Sequence, residues 1–287
     1  MGDWVALRIA VPAALAESVA NFLLERGASG VLTDDASAGD ALVESAIRSD
    51  AIGGCLAALD GWVASLVDVD PRARAIRVAA EPAANVDWAE VWRRHHRPLV
   101  VGRRFLVAPP WDVPVVPDRE VLVIDPGMAF GTGQHATTRA CLEAIETAVE
   151  GGRVRSALDV GTGSGILALA AARLGVARVV AIDTDPAVLS LARANLARNG
   201  AAAVLVAGGG AAAVRAGFDL VVANLLADAL IVDAPALAHV VAPGGRLVVS
   251  GVTAAQLAHV LGAWPASRVV ETRAEDEWRT VALERAS

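Results

Sequence analysis

The chain has 287 residues, 55% of them hydrophobic, so we expect one large α/β domain with a smaller companion domain. Its formal net charge of −7 argues against a general nucleic-acid-binding protein, because such proteins carry basic surfaces that replace the counterions around phosphate. All 25 Lys and Arg positions are arginine, which excludes Schiff-base catalysis by a lysine and a Walker-type phosphate loop.

The sequence indicates neither a targeting signal nor a metal site. The first residues lack a basic stretch followed by an apolar segment, and no uncharged apolar run approaches the roughly 20 residues that span a bilayer. Cys55 and Cys141 form no C-x-x-C pair, so we expect two buried thiols. His95 and His96 are adjacent and cannot share one helix face. We therefore expect a cytoplasmic protein with no metal and no membrane partner.

Residues 1–81 have the pattern of a small α+β domain. Strands are predicted from alternating apolar residues and helices from a period of 3.6, with Gly27 ending the first helix. The predicted elements are a strand at Trp4–Val11, a helix at Ala13–Arg26, strands near Ser29–Thr33 and Ala41–Arg48, a helix at Ala51–Leu66 and a strand at Ala75–Ala79. The order βαββαβ is that of ferredoxin-like domains, a fold that supports many functions.

Residues 82–98 form a polar stretch rich in Trp and Arg, which we interpret as a linker helix that Pro98 brings to an end. Extended segments are predicted next at Leu99–Ala108 and Val121–Ile124. Strands then alternate with helices, as in a parallel sheet, so residues 99–287 are assigned to a second, larger α/β domain.

A glycine-rich loop opens into a helix within residues 124–146. Thr137 or Thr138 lies near the first turn of this helix, where free N–H groups and hydroxyls can contact a ligand carboxylate. Phe130, in the loop, is placed to cover a bound cofactor. We interpret His135 as a structural hydrogen-bonding residue, because a single histidine in a loop is usually structural rather than catalytic.

The strongest local signal is the segment SALDVGTGSGILALAAARLG, in which an apolar strand ends at a G-x-G-x-G loop and an apolar helix follows. Asp159 precedes Gly161, Gly163 and Gly165, and these glycines let the backbone approach a ligand closely. The spacing differs from the dinucleotide pattern G-x-G-x-x-G, and the loop carries no basic residue, so S-adenosylmethionine is favoured over a dinucleotide. Asp183 ends the next strand, where a carboxylate can bind a ribose diol.

The segment FDLVVANLLAD is a predicted strand that ends at Asn224, on the edge of the sheet where ligands bind. Methyl transfer from a sulfonium needs little help at the leaving group, so the protein must mainly orient the nucleophile. A lysine amine, with a pKa of about 10, has to lose a proton and align with the methyl group. The Asn224 side-chain oxygen and the Leu225 carbonyl could accept hydrogen bonds from the N–H groups of this amine. The alternative is that Asn224 only caps the strand end.

Four runs, DPGMAFGTGQHATT, DVGTGSGIL, VVAIDTDP and VVANLLAD, resemble the ribosomal protein L11 methyltransferase family. The resemblance covers residues 85–287 by motif and the amino-terminal unit more loosely. It implies a substrate-recognition domain, a linker helix and a Rossmann-like class I methyltransferase domain, with cofactor contacts at Thr138, Gly161, Asp183 and Asn224. It also implies that a monomer methylates lysine side chains and the α-amine of ribosomal protein L11, commonly to the trimethyl state.

Two positions depart from the family pattern. The segment around Val206 lacks the polar residue that often follows the fourth strand and contacts adenine, which leaves the recognition of the base unassigned. Ala136 replaces a common proline in the signature loop, a change that affects loop stiffness.

Three other functions stay open at this point. A lysine methyltransferase of another protein, such as the electron-transfer flavoprotein β subunit, would share the catalytic domain, and only the first 80 residues could discriminate it. A non-catalytic protein-binding adaptor on the same fold is disfavoured by the intact glycine loop, Asp183 and Asn224. A nicotinamide oxidoreductase is disfavoured by the glycine spacing.

Overall fold

A computed structural model describes residues 4–28, 31–35, 40–83, 96–125 and 131–286 of the chain. These residues form two compact units, Met1–His96 and Arg97–Ser287. Within the described ranges, no helix is long and apolar enough to cross a bilayer, and no group of His, Cys, Asp and Glu side chains is arranged to hold a metal ion. Cys55 and Cys141 are buried free thiols, as expected.

The first unit is a four-stranded antiparallel sheet with two helices. Its elements are β1 (Trp4–Pro12), α1 (Ala13–Glu25), β2 (Val31–Asp35), β3 (Asp40–Arg48), α2 (Ile52–Val69), a 3-10 helix (Pro71–Ala75) and β4 (Arg77–Pro82). The strand order β2-β3-β1-β4 confirms the predicted ferredoxin-like unit. Alternation on β1 buries Leu7, Ile9 and Val11 against Val19 and Leu23 of α1, which is why this segment folds as a strand with one apolar face.

The predicted closing strand at Ala75–Ala79 is wrong in its position, because β4 begins at Arg77. The preceding residues form a 3-10 turn in which the Asp70 carboxylate accepts the Arg72 N–H at 3.0 Å and Pro71 fixes the first φ angle. The predicted linker helix lies mostly outside the described residues.

The second unit contains a small sheet of β5 (Leu99–Val101), β6 (Phe105–Ala108) and β7 (Glu120–Val123), and a seven-stranded sheet. The single extended segment predicted at Leu99–Ala108 is instead an antiparallel hairpin, which turns at Gly102 with φ of 55°. The remaining elements are α3 (Ala136–Glu150), β8 (Ser156–Val160), α4 (Ile166–Arg173), β9 (Arg178–Asp183), α5 (Pro186–Arg198), β10 (Leu205–Gly208), β11 (Phe218–Asn224), α6 (Ala227–Val240), β12 (Val241–Thr253), α7 (Leu257–Leu261), β13 (Ser267–Glu275) and β14 (Trp278–Arg285).

The large sheet has the order β10-β9-β8-β11-β12-β14-β13, with the first five strands parallel and the last two antiparallel to their neighbours. Both of its faces are buried: on β11, Leu220 and Val222 join the cluster of α3 and α4, whereas Val221 and Ala223 join that of α6. The chain reverses its winding between the neighbours β8 and β11. Ligands bind at such a switch point beyond the strand carboxyl ends, which is where the predicted motifs lie.

Candidate active site

The glycine loop after β8 is held by backbone geometry that only glycine adopts readily. Gly161, Gly163 and Gly165 have φ angles of 71°, 53° and 85°. The Gly161 N–H donates to the Ile182 carbonyl at 2.9 Å, which anchors the loop to the end of β9. A Cβ on Gly165 would lie 3.3 Å from Ala192 of α5, so the glycine also permits close packing of the helix start. The loop backbone is therefore open to a ligand at the switch point.

Asp183, the last residue of β9, lies directly beside this loop. One carboxylate oxygen accepts the Gly163 N–H and the other accepts the Asp185 N–H, both at 3.1 Å. These two bonds fix the plane of the carboxylate and leave further lone pairs on both oxygens. The half-buried carboxylate can therefore accept hydrogen bonds from a diol.

Asp159 is buried within β8, and only one of its two oxygens has a partner. Its Oδ2 accepts the Thr162 hydroxyl at 2.6 Å and the Ala168 N–H at 3.1 Å, whereas Oδ1 has no hydrogen-bond partner among the described residues. Burial raises the pKa of the Asp159 carboxyl to about 6. A buried carboxylate oxygen without a donor is costly, and it marks a place where a ligand cation or donor fits.

Thr138 presents a second such atom. Its side chain is fully buried, and its hydroxyl oxygen has no partner in the described part of the chain. Cys141, one turn later on α3, is also fully buried, and burial raises the pKa of its thiol to about 12. A hydroxyl without a partner can bind a ligand carboxylate, and a carboxylate oxygen without a partner can bind a ligand ammonium.

Asn224 ends β11 and is connected to the start of α3. Its side-chain Nδ2 donates to the Thr137 hydroxyl oxygen at 3.2 Å, and that oxygen lies 2.7 Å from His135 Nδ1. The Thr137 N–H also donates to Nδ1, at 3.2 Å, so His135 is the N-cap of α3, which agrees with the structural role predicted for it. The alternative role of Asn224 as a strand-end cap is not seen in the described hydrogen bonds.

Leu225 is confined between two glycines. A Cβ on Gly161 would lie 2.4 Å from Leu225 Cδ2, and a Cβ on Gly251 would lie 2.3 Å from the Leu225 carbonyl oxygen. The Leu225 N–H donates to the Ser250 carbonyl at 3.2 Å. The Leu225 backbone is thus held against β12, and its side chain packs against the glycine loop.

The structure brings most of the predicted site residues to one edge of the sheet: Thr137 and Thr138 on α3, Gly161 and Gly163 in the glycine loop, Asp183 at the end of β9, Asn224 at the end of β11 and Leu225 directly after it. Phe130 lies outside the described residues. Sequence reasoning missed Gly251, although an isolated glycine in a strand pattern signals close backbone approach. It also missed Trp278, whose ring meets the His135 ring edge to face with centroids 5.1 Å apart.

Known proteins are similar to this chain over nearly its whole length. The family described as ribosomal protein L11 methyltransferase (PrmA) matches residues 3–286. The ribosomal protein L11 methyltransferase of Pelobacter propionicus is 37% identical, with 99% of this chain and 98% of that protein covered, and that of Geobacter metallireducens is 38% identical, with 96% of each covered. The crystal structure of ribosomal protein L11 methylase from Lactobacillus delbrueckii subsp. bulgaricus has a TM-score of 0.62 at 31% identity and covers 67% of this chain and 100% of that one.

Proposed function

This chain belongs to the ribosomal protein L11 methyltransferase family, and from that premise we propose that it methylates lysine side chains and the α-amine of ribosomal protein L11. It is an S-adenosylmethionine-dependent methyltransferase that acts on a protein. The observation that supports the proposal is the close packing of the Leu225 side chain against Gly161, because Leu225 directly follows Asn224 and both residues then lie near the glycine loop.

The buried polar atoms around the glycine loop fit the cofactor. Asp183 would accept hydrogen bonds from the ribose hydroxyls, and the backbone of Gly161 and Gly163 would lie against the nucleoside. The buried atoms without a described partner fit the amino-acid end: the Thr138 hydroxyl would donate to the carboxylate and Asp159 Oδ1 would accept from the ammonium. When bound, S-adenosylmethionine supplies a methyl group on a sulfonium, which is an excellent leaving group.

The amine is oriented by Asn224 and Leu225. Because Nδ2 of Asn224 is engaged by Thr137, Oδ1 is the end of the side chain that can accept an amine N–H. The Leu225 carbonyl supplies the second acceptor, and two acceptors fix the direction of the nitrogen lone pair. The lysine must enter as the neutral amine, since an ammonium has no lone pair to attack the methyl carbon.

One experiment tests the cofactor, the reaction and the protein substrate together. Purified protein is incubated with labelled S-adenosylmethionine and a ribosomal-protein extract from cells that lack the gene, and labelled sites are identified by mass spectrometry. Label on lysines or the amino terminus of ribosomal protein L11 is expected. Label on a different protein, such as the electron-transfer flavoprotein β subunit, would identify that protein as the substrate instead. If the purified protein is folded and nothing is labelled, the non-catalytic adaptor is favoured. The Asn224→Ala variant, in which lower but measurable turnover is expected, serves as the control.

The setting of the reaction is also part of the proposal. We expect a cytoplasmic monomer that recognises its protein substrate without contacting nucleic acid, in keeping with the net charge of −7. Light scattering of the purified protein gives the mass, and labelling that withstands nuclease treatment of the extract would support recognition of the protein alone.

A further inference from the structure

We propose that His135 and Thr137 are positioning residues that set which end of the Asn224 side-chain amide faces the substrate amine. The inference rests on the proposed function, and it concerns the hydrogen-bond directions along one short chain of side chains. An asparagine amide has two ends of nearly equal shape, an acceptor oxygen and a donor NH₂ group, so its orientation is decided by its neighbours.

A backbone group fixes which atoms donate and which accept in these hydrogen bonds. The Thr137 N–H can only donate, and it points at His135 Nδ1 at 3.2 Å, so Nδ1 is an acceptor and the imidazole carries its proton on Nε2. The Thr137 hydroxyl, 2.7 Å from the same nitrogen, therefore donates its only proton to Nδ1. Its oxygen then has only lone pairs to offer to Asn224.

That requirement selects one orientation of the amide. Only the NH₂ end of Asn224 can donate to the Thr137 oxygen, 3.2 Å away, and the opposite end, Oδ1, is left as the acceptor. The reversed amide would place two acceptor oxygens against each other and turn donor N–H groups towards the amine, which needs an acceptor. The orientation that serves methyl transfer is thus imposed from His135 through Thr137.

Packing holds His135 and Thr137 in place. Thr137 is 1% exposed, so its hydroxyl has little access to water as an alternative partner. The His135 ring packs edge to face on Trp278, and Nδ1 caps the first turn of α3, which restricts the rotation of the ring. The acceptor is therefore preorganised before a substrate arrives.

Two pairs of variants separate the hydrogen bond from mere folding. His135→Phe keeps an aromatic ring beside Trp278 and removes the acceptor, whereas His135→Asn retains an acceptor and a good N-cap. Thr137→Val preserves the shape and removes the hydroxyl, whereas Thr137→Ser retains it. We expect kcat to fall about 10- to 100-fold in the Phe and Val variants, the size of one lost oriented hydrogen bond. The Asn and Ser variants should keep most of the activity, and the KM for the protein substrate should change little.

A double-mutant comparison shows whether His135 acts through Asn224. In the Asn224→Ala background, His135→Phe should have no further effect on kcat, because the group that it orients is gone. An equal loss in both backgrounds would overturn the proposal, as would a loss in His135→Asn as large as that in His135→Phe. Thermal unfolding of each variant identifies any that fail to fold.

A readout that is independent of activity keeps this inference separate from the proposed function. The ¹H–¹⁵N signals of the Asn224 side-chain amide are identified by their loss in Asn224→Ala. They should shift and exchange faster with solvent in His135→Phe and Thr137→Val, and should stay near their wild-type positions in His135→Asn. Unchanged signals in the first two variants would overturn the positioning role. Shifted signals in a protein that labels no substrate would overturn the proposed function alone.

Discussion

The side-chain amide of Asn195, on α5, donates a hydrogen bond to the Ser164 carbonyl in the glycine loop at 2.9 Å. Its oxygen accepts the Asp125 N–H at 3.0 Å, and the side chain is fully buried. Asp125 is the first residue of the run DPGMAFGTGQHATT. Ser164 in turn donates its hydroxyl to the Gly131 carbonyl at 2.5 Å. One buried amide thus ties together the two glycine-rich segments of the proposed cofactor site.

Replacing this residue, in Asn195→Leu, should loosen the cofactor site as well as the fold. The substitution leaves the Asp125 N–H and the Ser164 carbonyl without a partner, which should lower the free energy of unfolding by about 2–4 kcal/mol. The affinity for S-adenosylmethionine should fall about tenfold, because binding must then also restore the order of the glycine loop. Urea denaturation and isothermal titration calorimetry measure the two effects.

Asn199→Leu is the matched control. Asn199 is the C-cap residue of α5, one turn beyond Asn195. It makes equivalent bonds to Val123, accepting its N–H at 2.9 Å and donating to its carbonyl at 2.7 Å, away from the glycine loop. It should lose comparable stability and keep its cofactor affinity. Equal weakening of binding in both variants would show that affinity follows general stability.

Asp183→Ala should weaken cofactor binding by about 1–3 kcal/mol, the scale of a lost hydrogen bond to a charged group. Calorimetric titration with S-adenosylmethionine measures it. Asp185→Ala is the control, because Asp185 is also a carboxylate but accepts the Ala187 N–H at 2.8 Å as the N-cap of α5. That variant should lose about 1 kcal/mol of stability with little change in affinity. Unchanged cofactor affinity in Asp183→Ala would contradict the assignment of Asp183 to the ribose hydroxyls.

Several elements of this site are predictable from sequence, whereas the contacts between them are not. The glycine loop, Asp183 and Asn224 could be placed because each lies at the carboxyl end of an apolar strand, and parallel strands end on the same edge of a sheet. The sequence does not distinguish Asn195 from the surface residues of a polar helix, since its buried side chain bonds to Asp125, which lies 70 positions earlier in the chain. The wrong position of β4 has a local cause, because the Pro71 turn takes up residues that continue the apolar pattern.

Asp159→Asn should raise the stability of the ligand-free protein at neutral pH. The folded-state pKa of Asp159 is raised to about 6 by burial, so the folded protein binds this proton more tightly than the unfolded chain does. Its contribution therefore becomes unfavourable as pH rises from about 4 to about 6, and the full cost of about 2–3 kcal/mol applies above that window. Urea denaturation from pH 4 to pH 8 should show the advantage of the variant growing up to slightly above pH 6 and staying constant at higher pH.

The same substitution should reduce cofactor affinity, because the neutral amide no longer attracts the ammonium group that we assign to Asp159 Oδ1. A stability difference that is constant over the whole pH range would contradict the raised pKa. Unchanged affinity would instead contradict the assignment of the ammonium, and the two measurements are independent of each other.

Gly251→Ala should reduce turnover by moving the Leu225 carbonyl, because the added Cβ would lie only 2.3 Å from that oxygen. The φ angle of Gly251 is 85°, so backbone strain of about 1 kcal/mol is expected as well. Gly200→Ala isolates the strain: its φ is 70°, and no described atom lies within 4 Å of the new Cβ. Both variants should be destabilised, but only Gly251→Ala should lose about tenfold or more in kcat, measured as methyl transfer at saturating cofactor. If Gly200→Ala lost as much, strain alone would account for the effect and the Leu225 carbonyl would have no part in orienting the amine.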